Sequence, residues 1–533
     1  MSASTKHTST KRRVTGERKT IKELAALSKV KEKEIEKPDV VETVDDDEPW
    51  APAAYTVFKI VMSARLCAAA WNIVGDCDET YNYWEPTHYL MFGKGFQTWE
   101  YSPVYAIRSY AYLMLHTLPM RLYGLFTTPN PVMLFFITRC VLAFVCSLCE
   151  VFFYKGVCKQ FGNNVLVDVF FKSKAGILFI ISDSQVFSAL YYFPDFGGFS
   201  GLWVAIMATA ASTILGWPFA GIIGAPIALD LLLRQRKIKF FVLWSLLALV
   251  TFLWPMIQLD MYYYGKLVVA PLNIVMYNVF TDHGPDLYGV EPFSYYILNG
   301  LLNFNAVFVW ALCSLPFVIV YNVWTKEKER GIPCWLALSA MYIWFLIFFT
   351  RPHKEERFLF PVYPLIGLSA ALTIDYKQKC FSKFFPGNKL YNYAENTSWI
   401  SMVAGIFFSL MSISRVIALY QGYHAPLDLF VELNKIASDP KIHNLPEDRP
   451  VNVCVGKEWY RYPSSFFLPA QNWNLQFLQS EFKGQLPKPY SNEPHATRQI
   501  PTHMNDVNKE EPTRYVNISK CHYFVTLSGL EKD

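Results

Sequence analysis

Charged residues are scarce in this chain of 533 residues. Asp, Glu, Lys and Arg make up 17% of it, whereas 52% is hydrophobic and 17% is aromatic. Soluble globular proteins average about 25% charged residues, so this balance excludes an ordinary soluble protein. The net charge of +5 comes from 49 basic and 44 acidic residues dispersed along the chain, which argues against nucleic-acid binding.

Motifs for binding nucleotides and metals are missing as well. The chain has neither a GxxxxGKS/T phosphate loop nor a GxGxxG turn, and no CxxC pair with the histidine partners of a zinc site. Many of the eleven cysteines lie within apolar runs, where cysteine packs as a small hydrophobe. We therefore expect no metal ion and no cofactor.

Long apolar runs dominate the chain. Each is about 17 to 22 residues long, enough to cross a bilayer core of about 30 Å as a helix. They predict an all-α polytopic membrane protein with about eleven transmembrane helices. The predicted spans are Thr56–Val74, Ile107–Phe126, Val132–Phe153, Ala175–Phe193, Phe199–Leu215, Trp217–Leu233, Phe240–Leu259, Phe304–Val323, Pro333–Phe349, Phe358–Tyr376 and Trp399–Leu419.

Basic residues between the spans predict how the chain is oriented. Residues 1–54 carry many charges and few aromatic residues, so we expect a disordered, cytosolic amino terminus. Alternation then places three Lys- and Arg-rich loops, Arg234–Lys239, Lys326–Arg330 and Lys377–Lys389, on the cytosolic side, as the positive-inside rule requires. The span Ala175–Phe193 is the weakest because it holds polar residues, and losing it alone would break this agreement.

The same alternation assigns the luminal segments. A multi-span catalytic domain covers 55–420, with luminal loops at 75–105, 260–303 and 350–357. Residues 421–533 follow as a small mixed α/β luminal domain, with strand-like runs at Val451–Val455 and Tyr523–Leu527. Of two glycosylation sequons, Asn517 falls in this luminal tail and is expected to be modified, whereas Asn396 falls at the cytosolic end of a span.

Three acidic residues open the first luminal loop. Asp76, Asp78 and Glu79 lie close to the end of a span, where like charges repel and are costly to desolvate. One carboxylate is therefore expected to have a raised pKa suited to accepting a proton from a hydroxyl. The alternative is a solvated cluster of interfacial acids. A metal site on Asp76 and Asp78 has little support, because two acids make a poor ligand set.

A second charged cluster, His353, Lys354 and Arg357, lies between two spans. On a helical turn His353 and Arg357 share one face, so they could clamp a phosphate, and Arg can donate two parallel hydrogen bonds. The alternative is ordinary snorkelling of cations at a membrane surface, but that favours cytosolic loops, and this loop is predicted to be luminal.

Both clusters lie in stretches that resemble one enzyme family. DCDETYNYWEPTHYL (Asp76–Leu90), GFQTWEYSPVYAIRSYAYL (Gly95–Leu113) and HKEERFLFP (His353–Pro361) are similar to the dolichyl-phosphate-mannose-dependent alpha-1,2-mannosyltransferases of the N-glycan precursor pathway, in glycosyltransferase family 22. The likeness extends through Asp286–Asn305 and Val453–Ala470. It implies a multi-span fold of the GT-C type in the endoplasmic reticulum membrane, among that membrane's lipids.

The resemblance also implies a reaction. Mannose would pass from dolichyl phosphate mannose to the dolichol-linked oligosaccharide, as its seventh and ninth mannoses, by a single inverting displacement. We expect Asp78 to be the base, with Glu79 as its closest rival and Asp76 as a supporting acid. Basic residues would bind the donor phosphate in place of a metal, and four residues of the first loop would contact substrate. The phosphate ligands would be His353, Lys354 and Arg357, and the substrate contacts would be Tyr83, Trp84, Glu85 and His88.

Three other functions remain open at this point. A relative acting on the GPI anchor shares the architecture and the second charged cluster, but its first-loop motif differs. A lipid or sugar transporter would place polar residues in mid-span and repeat its hydropathy pattern, and neither is evident. A scaffold subunit without turnover would not need both charged clusters intact.

Overall fold

The computed structural model describes residues 51–162, 200–281, 285–326, 333–387, 393–444 and 449–526. The predicted span Ala175–Phe193 and the predicted disordered segment, as far as residue 50, lie outside the described residues.

The fold is mostly helical. The α-helices are α1 (Ala54–Trp71), α2 (Cys77–Glu79), α3 (Glu85–Phe92), α4 (Tyr110–Gly124), α5 (Pro131–Phe161), α6 (Ser200–Ala211), α7 (Gly221–Leu229), α8 (Ile238–Ala248), α9 (Trp254–Tyr264), α10 (Ala270–Phe280), α11 (Ser294–Phe304), α12 (Ala306–Thr325), α13 (Cys334–Thr350), α14 (Tyr363–Phe384), α15 (Tyr393–Asn396), α16 (Ser398–Tyr423) and α17 (Ala425–Ser438).

Five helical stretches of the described chain are long and apolar enough to cross a membrane. They are Pro131–Phe161, Ile238–Tyr264, Ala306–Thr325, Glu356–Phe384 and Ser398–Tyr423. A π-helical turn joins α8 to α9 in the second, and a 3-10 turn precedes α14 in the fourth. Several other predicted spans form shorter helices. For example, α7 is preceded by a 3-10 turn and followed by a π-helical turn. The predicted membrane protein is confirmed, but the count of eleven spans stays a prediction.

Burial separates an inner helix from an outer one. In the most apolar 18-residue window of the Glu356–Phe384 stretch, 83% of the residues are buried, because α12 and α13 pack around its small and aliphatic residues. Trp344, Phe308 and Tyr363 fill the space between these helices. In the corresponding window of α16 only 17% of the residues are buried, and the helix presents an apolar face outward, as a helix does when lipid takes the place of protein neighbours.

Helices α1 and α5 pack together and share a buried ion pair. Arg65 on α1 bonds to Glu150 on α5, and the Arg65 side chain is almost fully enclosed. Nearby, Arg139 on α5 donates from Nη1 to the backbone oxygen of Asn72 at 2.9 Å. These contacts fix the end of α1 from which the acidic motif starts.

The predicted luminal loops contain more regular structure than expected. Residues 77–92 form a nearly continuous helical rod, in which a π-helical turn at Thr80–Trp84 links α2 to α3. The segment 260–303 contains the end of α9 and the helices α10 and α11. Hydropathy did not reveal these helices, because packing against protein stabilises them.

The carboxyl-terminal segment contains a three-stranded parallel sheet of order β3-β2-β5. A disulfide between Cys454 and Cys521 joins β2 to the segment that leads into β5. A further antiparallel pair, β1 with β4, ties residues 96–97 to residues 488–489. The strands are β1 (Phe96–Gln97), β2 (Val451–Val455), β3 (Trp473–Phe477), β4 (Lys488–Pro489) and β5 (Tyr523–Val525).

The rod at 77–92 and the carboxyl-terminal segment share one hydrophobic core. Tyr81 and Trp84 from the rod pack in the same cluster as Phe466, Trp473 and Phe477. Full burial of an aromatic side chain contributes about 1.5–3 kcal/mol. The acidic motif is therefore held between the membrane helices on one side and the carboxyl-terminal sheet on the other.

Candidate active site

The acidic motif begins where α1 has ended. Asp76 caps α2, because its Oδ1 accepts a hydrogen bond from the backbone N–H of Asp78 at 3.0 Å. Capping by a carboxylate satisfies an amide that has no partner inside the helix. This cap fixes the relative positions of the Asp76 and Asp78 carboxylates.

Arg357, from the second charged cluster, bridges these acids. Its Nη2 lies 2.5 Å from Oδ2 of Asp78 and its Nη1 lies 3.3 Å from Oδ2 of Asp76. Its Nε pairs with Glu355. Every nitrogen of the guanidinium thus faces a carboxylate, and the structure brings together the two clusters that the sequence singled out separately.

The pKa values of the three acids are shifted in different directions. Burial raises the pKa of Asp76 above its ordinary value, against the opposing charge of Arg357. Burial raises the pKa of Glu79 to about 7. Burial alone would raise the pKa of Asp78 too, but the guanidinium groups of Arg357 and Arg108 outweigh it and hold this pKa below its ordinary value. The expected raised pKa thus occurs at Asp76 and Glu79, whereas Asp78 stays ionised.

Arg108 forms a second charged group beside the acids. Its Nε and Nη2 donate to the two oxygens of Glu100 at 3.1 and 3.2 Å, and its Nη1 donates to the Tyr83 hydroxyl at 3.0 Å. The Tyr264 hydroxyl donates to the Arg108 backbone oxygen at 2.7 Å. In the next two residues, the Ser109 hydroxyl and the backbone N–H of Tyr110 donate to Asp260. The position of Arg108 is therefore fixed from several sides.

A cavity of about 670 Å³ lies against this cluster. Asp76, Glu79, Tyr83, Arg108 and Arg357 are all in its wall. Asp78 is not in the wall but bonds to Arg357, which is. Further parts of the wall come from α10, from the segment between α6 and α7, and from the outer helix α16. The cavity mixes carboxylates, guanidinium groups and aromatic rings, as a site for a sugar and a phosphate requires.

The second charged cluster is not arranged as a helical turn. Residues 351–355 lack helical structure and a 3-10 turn begins only at Glu356, so the expectation that His353 and Arg357 share a helical face is wrong. His353 bonds to the Gly289 oxygen at 2.7 Å and to Glu355 at 3.0 Å. The Lys354 ammonium donates to the Glu291 oxygen at 2.8 Å. Of the three predicted phosphate ligands, only Arg357 is in the cavity wall.

The predicted substrate-contacting residues separate into two groups. Tyr83 is in the cavity wall, whereas Trp84 is 1% exposed and donates from Nε1 to Glu79 at 3.0 Å. Glu85 is fully buried and accepts from the Ser465 N–H at 2.5 Å and from the Ser465 hydroxyl at 2.9 Å. His88 is also buried and donates to the Lys94 oxygen at 2.5 Å. Glu85 and His88 thus contact the protein itself.

One group of possible metal ligands occurs in the described part of the chain. Oxygens of Asp76 and Asp78 and the sulfur of Cys77 lie within 4.8 Å of one another. Arg357 already neutralises both carboxylates. A metal ion would have to displace this guanidinium, so the residues present fit a cation from the protein better than a bound metal.

Sequence reasoning missed several residues of this site. Arg108 and Glu100 were within one of the quoted family-like stretches, and an opposite-charge pair there was a usable signal. Arg415, in the cavity wall on α16, is the one charged residue of the predicted span Trp399–Leu419. Asp260 lies at the end of another span, where a buried acid is costly and so marks a specific contact.

Known proteins with similar sequences agree with the resemblance seen in the motifs. A sequence profile of the Alg9-like mannosyltransferase family matches residues 56–469. Alpha-1,2-mannosyltransferase ALG9 of Mus musculus is 53% identical over 91% of this chain and 80% of its own length, and ALG9 of Homo sapiens is 52% identical over the same shares. ALG9 of Saccharomyces cerevisiae is 32% identical, over 86% of this chain and 81% of its own length.

A solved structure shares the fold. ArnT from Cupriavidus metallidurans in the apo state superimposes with a TM-score of 0.50 at 12% sequence identity, covering 80% of this chain and 87% of that chain. Because the sequence identity is so low, this match shows that the two chains share a multi-span GT-C fold and shows nothing about their substrates. The sequence matches go further, because they cover both charged clusters and most of the chain. The chain therefore belongs to the Alg9-like mannosyltransferase family and is, by that membership, a membrane-bound hexosyltransferase.

Proposed function

We propose that this chain transfers mannose from dolichyl phosphate mannose to the dolichol-linked oligosaccharide precursor of N-glycans, forming alpha-1,2 bonds. The observation that carries the proposal is the Asp76–Arg357–Asp78 cluster at the cavity, in which two carboxylates and a guanidinium lie side by side. The similarity to the alpha-1,2-mannosyltransferases ALG9 of mouse and human supports the alpha-1,2 linkage. The seventh and ninth mannoses are the expected products.

The proposed reaction is a single inverting displacement. The acceptor hydroxyl attacks the anomeric carbon of mannose while the bond from that carbon to the phosphate oxygen breaks. The hydroxyl proton passes to a carboxylate, and dolichyl phosphate leaves with the electron pair. A stable phosphate anion needs a cation beside it rather than a proton.

Asp78 is the proposed base and Arg357 the proposed phosphate ligand. In this structure Arg357 holds Asp78 ionised, so the carboxylate is able to accept a proton at neutral pH. A donor phosphate would compete with the carboxylates for the Arg357 guanidinium. Loss of that ion pair would raise the proton affinity of Asp78 where the acceptor hydroxyl arrives. Asp76 and Glu79 are the alternative bases, since both are in the cavity wall.

His353 and Lys354 support this arrangement in a different way. Their bonds to the backbone oxygens of Gly289 and Glu291 hold the segment before Arg357 against the segment that precedes α11. Direct binding of the donor phosphate by these two residues stays a prediction. Their contacts favour Arg357 as the residue that meets the phosphate.

The proposed location is the endoplasmic reticulum membrane, with the amino terminus cytosolic and the carboxyl terminus luminal. The three basic inter-span loops support this orientation. The Cys454–Cys521 disulfide supports a luminal carboxyl-terminal domain at 421–533, because disulfides persist in the oxidising lumen and are rare in the cytosol. The catalytic domain at 55–420 would then open its cavity to the lumen.

A defined transfer assay tests the proposal. The purified chain is mixed with a mannosyl-phosphate polyprenol and a truncated lipid-linked oligosaccharide, and the product is analysed by mass and by digestion with an alpha-1,2-specific mannosidase. We expect the product to gain one hexose that the mannosidase removes. The yield of this product should be unchanged by excess chelator. A GPI-type glycolipid acceptor serves as the control.

Two results would contradict the proposal. Transfer to the GPI-type acceptor alone would move the chain to another branch of its family. Loss of transfer in chelator, with recovery on adding manganese or magnesium, would turn Asp76 and Asp78 into metal ligands and remove Arg357 as the replacement for a metal.

A further inference from the structure

Arg415 is a charged residue in an apolar membrane helix. It lies on α16, whose stretch from Trp399 to Leu419 contains no other Asp, Glu, Lys or Arg. Arg415 forms part of the cavity wall together with Leu419 and Tyr423 from the same helix. A positive charge at such a position is costly unless it faces a cavity and meets a counter-charge, so it indicates a functional group.

The other guanidinium groups at the cavity already have partners. Arg357 pairs with three carboxylates, and Arg108 pairs with Glu100 and with the Tyr83 hydroxyl. Arg415 differs from both. Among the described residues no hydrogen bond or ion pair to Arg415 occurs, and its Nε is buried without a partner.

A buried donor without a partner carries a desolvation cost that a bound ligand can remove. The cost is about 1–3 kcal/mol for a neutral group and larger for a charged one. The charge of Arg415 requires an anion, and the sugar hydroxyls of the proposed substrates carry none. The anionic groups of those substrates are the phosphates that join sugar to lipid, and a guanidinium fork matches phosphate oxygens with two parallel hydrogen bonds.

We propose that Arg415 binds the phosphate of a polyprenyl-phosphate substrate at the point where the outer helix α16 meets the cavity. This inference rests on the proposed function. Phe407 and Met411, two turns and one turn before Arg415 on the adjoining side of α16, are each about half exposed, so a lipid chain can lie along this side of the helix while its phosphate reaches Arg415. The phosphate belongs either to the donor, as a monophosphate, or to the acceptor, as a diphosphate.

Steady-state kinetics of Arg415→Gln test the inference and distinguish the two sources. Loss of a charge-assisted contact is expected to raise one substrate's KM about 10- to 100-fold while kcat changes much less. A rise for the mannosyl-phosphate polyprenol assigns the donor phosphate, and a rise for the lipid-linked oligosaccharide assigns the acceptor diphosphate. Arg415→Lys, which keeps the charge but not the fork, should lie between wild type and Arg415→Gln.

A stability measurement separates binding from a structural role. Arg415 has no hydrogen-bond or ion-pair partner in the part of the chain that the structure describes, so the unfolding midpoint of Arg415→Gln should equal or exceed that of the wild type. Arg121→Gln is the matched control, because Arg121 is exposed on α4 and outside the cavity wall. Its KM values should stay at the wild-type level.

Direct binding keeps the test independent of turnover. Farnesyl phosphate should raise the unfolding midpoint of the wild type, uncharged farnesol should do so less, and the difference should shrink in Arg415→Gln. Unchanged KM values for both substrates in folded Arg415→Gln, or an equal response of wild type and variant to farnesyl phosphate, would overturn the inference. Failure of the wild type to transfer mannose would instead refute the proposed function.

Discussion

The two halves of the motif at 76–88 have different surroundings. The cavity half, Asp76–Glu79, puts Asp76 and Glu79 in the cavity wall and pairs Asp76 and Asp78 with Arg357. The anchor half, Tyr81–His88, is mostly buried against the carboxyl-terminal segment, where Glu85 accepts three hydrogen bonds from Ser465 and Phe96. Both halves contain a carboxylate whose pKa is raised to about 7, Glu79 in one and Glu85 in the other.

The comparison shows that a raised pKa alone does not mark a carboxylate as catalytic. Burial is the largest cause of the raised pKa at both Glu79 and Glu85. What differs is the neighbour: the cavity half borders the cavity in which we propose that substrate binds, and the anchor half contacts the backbone and side chains of the carboxyl-terminal segment. Substitutions in the two halves should therefore affect different measurements, turnover in the first and stability in the second.

The largest expected effect is on turnover in the cavity half. Asp78→Asn removes the proposed base, and kcat should fall about 100-fold or more, the scale of lost general-base catalysis. The unfolding midpoint should change little, because Arg357 keeps its ion pairs with Asp76 and Glu355. Asp76→Asn is the matched comparison, with an expected loss of about 10-fold. Near-wild-type turnover of Asp78→Asn would exclude Asp78 and leave Asp76 and Glu79 as the candidate bases.

The next effect is on stability in the anchor half. Glu85→Ala leaves the Ser465 N–H, the Ser465 hydroxyl and the Phe96 N–H without their acceptor. We expect a loss of about 2–5 kcal/mol in the free energy of unfolding. The kcat of the remaining folded protein should stay within about threefold of wild type. A folded Glu85→Ala variant with a large loss of kcat would make Glu85 part of the catalytic machinery and erase the distinction between the halves.

The pH dependence of stability should show a smaller effect. The pKa of Glu85 is raised from 4.5 to about 7, so the folded state keeps a proton that the unfolded state releases. This contribution to stability is complete below pH 4.5 and is lost as the pH rises through 7, by about 3 kcal/mol. Glu85→Gln removes it, so the stability of the variant relative to wild type should increase between pH 4.5 and 8. A difference that stays constant over this range would contradict the raised pKa.

The smallest expected effect is a mass shift that reports the side of the membrane. The anchor half and the carboxyl-terminal segment share a core, so they lie on the same side. Asn517 is exposed in that segment, and its glycosylation would place both in the lumen. We expect a glycosidase-sensitive shift that disappears in Asn517→Gln and persists in Asn396→Gln. A glycan on Asn396 would contradict the orientation of the last spans.

Some elements followed directly from the sequence. The long apolar runs that became α12 and α16 were predicted within a few residues, because hydropathy over a span-length window is a local property. The start of α5 was predicted equally well, but the helix continues beyond the predicted end at Phe153 to Phe161. The strand Val451–Val455 was also predicted with its observed bounds. The helix α10 was missed inside a predicted loop, since a helix of that length is stabilised by its protein neighbours rather than by its own hydropathy.

The sequence by itself determined that this is a membrane protein and which family it resembles, and it singled out the two charged clusters that we propose for its chemistry. Composition and motif are local, and they need no knowledge of distant contacts. Only the tertiary structure decided that Arg357 pairs with Asp78 across 279 residues, and that Glu85 anchors to Ser465 across 380 residues. An ion pair or a buried hydrogen bond depends on distance in space, and chain folding sets that distance without leaving a trace in the local pattern.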